Sequence, residues 1–189
     1  MGPGPPMVHA GREDALDLSA VIRAVPDHPK PGITYRDITP LLGDPQAMAE
    51  TTRLFAENYK ARGLSKVAGI EARGFVFGAA LAHALGAGFV PVRKVGKLPR
   101  ETYKQSYTLE YGEDTLEMHR DAVAPGERVL LIDDLLATGG TAVAAAKLLA
   151  EAGAETAGAA FVIELDGLPG RARLAELPLE TFALMRFPA

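Results

Sequence analysis

The spacing of apolar residues changes along the chain between a period typical of helices and one typical of strands. Near-helical spacing predicts a first amphipathic helix at residues 13–25. Prolines interrupt the pattern after it, so residues 26–44 are predicted to form a long ordered loop. A second helix is predicted at residues 45–62, because Pro45 suits the first turn of a helix and Gly63 suits its end.

The remainder of the chain alternates short apolar runs with helical patterns. The apolar runs predict strands at residues 66–70, 89–92, 128–133, 154–165 and 180–186. The helical patterns predict helices at residues 74–85 and 141–151. A hairpin is predicted where residues 107–111 and 115–119 flank the turn-forming Gly112-Glu113-Asp114. This order is typical of an α/β fold with a mostly parallel central sheet flanked by helices.

Length and composition fit a single domain. The chain of 189 residues suffices for one sizeable core, which we assign to residues 13–189, with residues 1–12 as a disordered leader rich in Gly and Pro. A net charge of −4 argues against a general nucleic-acid binder. The absence of cysteine excludes disulfides, thiolate nucleophiles and zinc–thiolate sites, and it fits a cytoplasmic protein. No apolar run reaches the ~18 residues that a membrane span needs.

The segment at residues 129–141, VLLIDDLLATGGT, carries the strongest chemical signal. An apolar strand ends in two acids, passes through a small-residue loop and enters a helix. The amides of such a loop and of the following helix N-terminus form an anion site, and glycines let the backbone approach a phosphate. The predicted phosphate loop consists of Ala137, Thr138, Gly139, Gly140 and Thr141.

Asp133 and Asp134 precede this loop directly. Carboxylates repel phosphate, so we expect them to accept hydrogen bonds from sugar hydroxyls or to lie near Mg²⁺. The loop lacks lysine, and no GxxxxGK precedes a helix, which excludes a nucleoside triphosphate P-loop.

The whole segment resembles the phosphoribosyl pyrophosphate (PRPP) motif of the type I phosphoribosyltransferases. Four further stretches resemble the adenine phosphoribosyltransferases, in the order that family shows. They are PGITYRDIT at residues 31–39, GIEARGFVFG at 69–78, PVRKVGKLP at 91–99 and YTLEYG at 107–112. The resemblance extends from about Leu18 to the C-terminus.

The resemblance implies transfer of phosphoribose from PRPP to N9 of adenine, which releases AMP and pyrophosphate. It implies a small base-binding hood, a flexible lid, a homodimer, and Mg²⁺ held mainly through the substrate. Pyrophosphate would bind beside a non-proline cis peptide in Glu71-Ala72-Arg73, with Lys94 and Lys97 as further cations. The lid would carry Arg93, Arg100, Tyr107 and Tyr111.

The resemblance also assigns the base site and the catalytic groups. Thr34 and Arg36 would contact the edge of adenine through their backbone, and Tyr35 and Leu165 would cover its two faces. Tyr35 replaces the phenylalanine common in the family, and its hydroxyl requires a polar partner. Glu110 would approach the imidazole edge of the purine and act with Arg73, Asp133 and Asp134 in catalysis.

Two alternatives stay open at this point. A change in the base contacts would give a phosphoribosyltransferase for hypoxanthine, guanine, xanthine or orotate with the same PRPP motif. A regulator that uses this fold to sense PRPP is the other, although the sequence carries neither a nucleic-acid-binding extension nor a basic face.

Overall fold

The fold is built on a seven-stranded sheet, seen in a computed structural model that describes residues 16–109 and 112–189. The N-terminal region contains a 3-10 helix (Leu18–Val21), β1 (Arg23–Val25), β2 (Tyr35–Asp37), α1 (Thr39–Gly43) and α2 (Pro45–Tyr59). The central region contains β3 (Lys66–Ile70), α3 (Arg73–Leu85), β4 (Gly88–Lys94), β5 (Thr102–Leu109) and β6 (Gly112–His119). The C-terminal region contains β7 (Arg128–Leu136), α4 (Gly140–Glu151), β8 (Glu155–Asp166), α5 (Gly170–Leu174) and β9 (Thr181–Pro188).

The strand order is β5-β6-β4-β3-β7-β8-β9. The five strands from β4 to β9 in this order are parallel, and the β5–β6 hairpin joins them antiparallel at one edge. The predicted α/β class with a mostly parallel sheet is therefore confirmed. Strands β1 and β2 form a separate antiparallel pair.

Helices cover both faces of the sheet. Phe55 of α2 and Phe77 of α3 pack on one face, whereas Leu148 of α4 and Leu174 of α5 pack on the other. Strand β7 is apolar on both sides because it is covered twice, as is usual for parallel sheets. Within the described part of the chain, no helix is long and apolar enough to cross a membrane.

The prediction of a first helix at 13–25 is wrong for the residues that the structure describes. Asp17 accepts a hydrogen bond of 2.9 Å from the Ser19 amide and starts a 3-10 turn of only four residues. From Ile22 onward the backbone is extended, and β1 pairs with β2 through Arg23 and Asp37. The β-branched residues suit this extended pairing better than a helix.

Three further expectations need correction. Residues 26–44 contain β2 and α1 and are not loop throughout. The segment from Arg93 to Tyr107, expected as part of a flexible lid, is not irregular throughout, because β5 already begins at Thr102 and places Tyr103 and Tyr107 against the core. The predicted turn at 112–114 lies inside β6, where Asp114 pairs with Tyr107 across the hairpin. The short helix α5 had no prediction.

Candidate active site

A cavity of about 510 Å³ opens at the carboxyl ends of β3 and β7, which lie side by side. Open α/β sheets bind ligands at this edge. Its lining includes Glu71, Ala72, Arg73, Lys94, Tyr107, Asp114, Asp133, Asp134, Ala137, Thr138, Gly139 and Thr141. Gly140 lines a second cavity, of about 760 Å³, on the other side of the phosphate loop. Most residues predicted to bind PRPP therefore surround one volume.

Asp133 and Asp134 form the acidic wall of this cavity. The Asp134 carboxylate, only 5% exposed, lies 2.7 Å from Arg73 Nε. Burial raises the pKa of Asp133 well above its ordinary value, and the charge of Asp134 raises it further. Burial also raises the pKa of Asp134, although the Arg73 charge opposes the shift. One guanidinium cannot neutralise two carboxylates, so the wall retains capacity for a cation or for hydroxyl donors.

The first turn of α3 packs directly against β7 at Gly74. A Cβ atom at this position would lie 2.9 Å from Asp133 Oδ1 and 2.9 Å from the Ile132 carbonyl oxygen. Only glycine therefore lets α3 start here and bring Arg73 to the acidic wall. The preceding peptide bond, between Glu71 and Ala72, is cis, as the family resemblance implies.

Glu71 stabilises the loop between β3 and α3. Its carboxylate accepts hydrogen bonds of 3.0 Å from Arg93 Nε and 3.0 Å from the Lys94 amide. Partial burial acts to raise the pKa of Glu71, but these two donors outweigh it and hold the pKa below its ordinary value. The loop consequently presents Ala72 and Arg73, both exposed, to an incoming anion.

The loop between β7 and α4 has the structure of a phosphate site. Gly139 caps α4 with a φ of +81°, in the left-handed region that favours glycine. The first amides of a helix have no acceptor within it, and the helix dipole adds positive potential at the same point. Thr138 and Thr141 line the cavity beside these amides and can add hydroxyl donors.

Lys94 lines the same cavity as the phosphate loop and is paired with Asp114, a residue predicted to lie in a turn. Its ammonium is 2.9 Å from Asp114 Oδ2, and the Tyr107 hydroxyl donates to the same oxygen at 3.3 Å. The hydrogen bond with Asp114 raises the pKa of Lys94, and the same contact lowers the pKa of Asp114. An anionic ligand must therefore compete with Asp114 for this cation.

The structure does not bring Arg93, Lys97 or Arg100 to the cavity wall. Arg93 binds Glu71, and Arg100 Nη2 is 3.0 Å from Asp121 Oδ1 on the neighbouring loop. The Lys97 amide donates to the buried carboxylate of Glu117 at 2.9 Å, so its backbone is anchored while its side chain is exposed. Of the cations predicted for pyrophosphate, Arg73 and Lys94 line the cavity.

The predicted base site lies beside the cavity, on β2 and at the end of β8. The Tyr35 hydroxyl accepts a hydrogen bond of 2.5 Å from Arg73 Nη1, which supplies the polar partner that its hydroxyl requires. Arg36 Nη2 donates to the Pro188 carbonyl at 3.1 Å and so ties β2 to the C-terminus. Leu165 packs against the core on the same side of the sheet, and Thr34 directly precedes β2.

The remaining predicted residues, Glu110 and Tyr111, lie outside the described part of the chain. Asp114 was not predicted as a site residue, because the sequence around it is typical of a turn although the residue lies in β6. Arg173 and Gly170 of α5 were missed too, although both contact the phosphate loop. An exposed arginine far along the chain gives no sequence signal of such a contact.

No cluster of three or more acidic or histidine side chains within residues 16–109 and 112–189 could hold a metal by itself. Asp133 and Asp134 nevertheless supply hard oxygen ligands at the cavity wall. This donor set fits a Mg²⁺ ion that obtains its other ligands from a phosphorylated substrate.

Comparison with known proteins agrees with the geometry. A model of the phosphoribosyl transferase domain matches residues 39–180. An adenine phosphoribosyltransferase of Rhizobium leguminosarum bv. trifolii is 56% identical over 171 residues, which cover 90% of this chain and 94% of that protein. The crystal structure of adenine phosphoribosyltransferase from Thermoanaerobacter pseudethanolicus superposes with a TM-score of 0.86 at 48% identity, over 90% of this chain and 98% of that one.

A third similar protein, the adenine phosphoribosyltransferase of Saccharomyces cerevisiae, was crystallised with adenine and an imino-altritol bisphosphate. It is 38% identical, with a TM-score of 0.83 over 88% of this chain and 96% of that one. Five motifs in order, a shared fold and 56% identity to the Rhizobium leguminosarum protein lead to one conclusion. The chain belongs to the adenine phosphoribosyltransferase family.

Proposed function

We propose that this chain transfers the 5-phosphoribosyl group of PRPP to N9 of adenine and so forms AMP and pyrophosphate. The observation that carries the proposal is the cavity at the ends of β3 and β7. It joins a phosphate loop, an acidic wall and a cationic loop around one volume of about 510 Å³. These three parts match the 5′-phosphate, the ribose hydroxyls and the pyrophosphate of PRPP.

The 5′-phosphate binds at the loop of residues 137–141 in this proposal. The amides at the start of α4 donate to its oxygens, and the hydroxyls of Thr138 and Thr141 add to them. This contact fixes one end of the substrate and positions the anomeric carbon for attack.

Asp133 and Asp134 accept hydrogen bonds from the ribose hydroxyls. The bond from N9 to the anomeric carbon forms while the bond from that carbon to the pyrophosphate oxygen breaks, so positive charge develops on the sugar. The two carboxylates lie at this point and stabilise the developing charge. Burial and repulsion by Asp134 raise the pKa of Asp133. A cationic centre nearby acts in the opposite direction and favours the ionised carboxylate.

The leaving pyrophosphate binds at Ala72, Arg73 and Lys94. Both cations are engaged with carboxylates, Arg73 with Asp134 and Lys94 with Asp114, and both must turn toward the ligand. Bound Mg²⁺, held through the substrate near Asp133 and Asp134, would neutralise charge on the pyrophosphate. Lys97 and Arg100 reach the leaving group only if the segment after β4 moves as a lid.

Adenine occupies the space between β2 and the end of β8. Tyr35 and Leu165 cover its faces, and the backbone at Thr34 and Arg36 meets its edge. Glu110 receives the proton that the imidazole ring of adenine loses. The hydrogen bond between Tyr35 and Arg73 links this base site to the pyrophosphate site.

The resemblance further supports a cytoplasmic homodimer, and sedimentation at micromolar concentration tests the dimer. A mass corresponding to twice 19.9 kDa is expected. A single species at the monomer mass would contradict the homodimer while leaving the reaction untouched.

The substrate assignment is tested with purified protein, PRPP, Mg²⁺ and one base at a time. Adenine is expected to be consumed far faster than hypoxanthine, guanine, xanthine or orotate. Equal or faster turnover of a 6-oxopurine would contradict the choice of adenine. Binding of PRPP with no turnover of any base would contradict the enzyme and favour a sensor.

A further inference from the structure

The short helix α5 contacts the phosphate loop from the side opposite the active-site cavity. The Gly170 amide donates to the Ala137 carbonyl at 3.0 Å. The Arg173 side chain donates from Nη1 to the Thr138 carbonyl, also at 3.0 Å. Two consecutive carbonyl groups of the loop are therefore held by one element that follows β8.

The backbones of α5 and the loop are in direct contact. A Cβ atom on Gly170 would lie 2.3 Å from the Ala137 carbonyl oxygen. A Cβ atom on Gly139 would lie 2.8 Å from the Gly170 Cα atom. Such close packing leaves the loop little room to change its position against α5.

These two hydrogen bonds decide where the loop amides point. In a trans peptide the carbonyl and the following N–H lie in one plane and point in opposite directions. When Gly170 and Arg173 hold the carbonyls of Ala137 and Thr138, the amides of Thr138 and Gly139 are turned away from α5. Thr138 and Gly139 line the active-site cavity, so this orientation suits an anion bound there.

We propose that Arg173 is a positioning residue for the 5′-phosphate of PRPP and AMP. It touches no substrate atom in this account and acts by holding the Thr138 carbonyl, which aims the Gly139 amide at a phosphate monoester. The inference rests on the proposed function, because that function places the 5′-phosphate at this loop.

Arg173 is not required to hold α5 in place. Leu174 is fully buried, and the ion pair between Arg171 and Glu164 fixes the same helix from its other side. The Arg173 side chain is exposed and lines the second cavity. Its removal should therefore leave the fold intact while freeing the Thr138 peptide to rotate.

The test compares Arg173→Met with Lys147→Met and Arg173→Lys. Lys147 is exposed on α4 and lines the same second cavity, and among the described residues it has no hydrogen bond to the loop. Lys147→Met thus removes the same charge without removing the contact. Arg173→Lys retains a donor that can reach one carbonyl.

Arg173→Met is expected to raise the KM for PRPP and weaken AMP binding in calorimetry by about tenfold, as loss of one charged donor implies. The KM for adenine at saturating PRPP and the Tm should stay near wild type. Lys147→Met should behave as wild type, and Arg173→Lys should recover most of the affinity.

Wild-type values for PRPP and AMP in Arg173→Met would overturn the proposal. An equal loss in Lys147→Met would also overturn it, because charge alone would then account for the effect. A wild-type protein that neither binds AMP nor turns over adenine would instead contradict the proposed function, which makes the two failures distinguishable.

Discussion

Two acidic sites lie at the carboxyl ends of the neighbouring strands β7 and β8, and they differ in how their charge is met. Glu164 at the end of β8 is 7% exposed in its side chain and accepts 2.7 Å and 2.5 Å hydrogen bonds from Arg171, with Arg186 at 3.3 Å. Burial acts to raise the pKa of Glu164, but the two arginines outweigh it and lower the pKa. Asp133 at the end of β7 has its pKa raised instead.

The two sites show which acids stabilise the fold and which are available to a ligand. Glu164 is saturated with cationic donors and joins α5 and β9 to the sheet, so its charge is fully used inside the protein. Asp134 pairs with Arg73, and Asp133 accepts a 2.8 Å hydrogen bond from the Asp134 amide, so the two acids keep unmet charge beside a cavity. Such under-compensated groups concentrate at functional sites.

The largest expected effect comes from Asp133→Asn, which removes charge but keeps shape. Turnover of adenine should fall by about 100-fold or more, because a group that faces the developing positive charge is lost. The Tm should stay level or rise, since a costly buried charge disappears. Steady-state kinetics and thermal unfolding on the same preparation measure both. Near-normal kcat would remove Asp133 from the catalytic site.

Glu164→Gln should show the opposite pattern. The free energy of unfolding should fall by about 2 kcal/mol, the usual size of a lost charged hydrogen bond, while most of the catalytic activity remains. Urea denaturation and the adenine assay measure the two quantities, with Asp133→Asn as the matched acid-to-amide control. If Glu164→Gln kept full stability but lost activity, Glu164 would not differ from Asp133 in the way proposed.

The pH dependence of unfolding sharpens the comparison. The folded-state pKa of Glu164 is lowered, so its stabilisation is present above 4.5 and is lost as pH falls through the folded pKa. The folded-state pKa of Asp133 is raised, so its ionisation destabilises the fold as pH rises from 3.8 through the folded pKa. At neutral pH, the free energy of unfolding should therefore be larger for wild type than for Glu164→Gln. It should be larger for Asp133→Asn than for wild type.

In acid, the differences in unfolding free energy between wild type and each of the two variants should shrink. Wild type that is more stable than Asp133→Asn at neutral pH and loses this advantage in acid would show that the pKa of Asp133 is lowered, and the two sites would then be alike.

The smallest effect is expected from Tyr35→Phe. The hydroxyl helps to hold Arg73 beside Asp134, but Arg73 is exposed, so the contact is worth little. The KM for PRPP should rise about two- to fivefold, while the KM for adenine should hardly change because the ring is kept. A larger change in the KM for adenine than in that for PRPP would mean that the hydroxyl serves the base.

Features that are local in sequence could be predicted, and features that depend on distant contacts could not. Asp133, Asp134 and the loop at 137–141 lie within one short stretch that begins with apolar residues, so their joint role could be predicted. Glu164 also ends an apolar strand, and nothing in its neighbours along the chain reveals that Arg171 and Arg186 saturate it. Only the folded arrangement separates the two kinds of acid.

The same limit explains the remaining errors. Arg173 meets Thr138 across 35 residues, and Tyr35 meets Arg73 across 38. The strand β1 was predicted as part of a helix, because its partner β2 lies beyond a proline-rich segment and gives no signal in the residues next to β1. Tyr103 and Tyr107 gave a local signal of β5 that the polar residues between them, Lys104, Gln105 and Ser106, obscured.

A crystal structure with bound AMP would show directly which groups of the cavity bind the nucleotide. We expect the 5′-phosphate on the amides of residues 138–141, the ribose hydroxyls on Asp133 and Asp134, and adenine between Tyr35 and Leu165. AMP phosphate bound instead in the second cavity, beside Lys147 and outside the acidic wall, would contradict it.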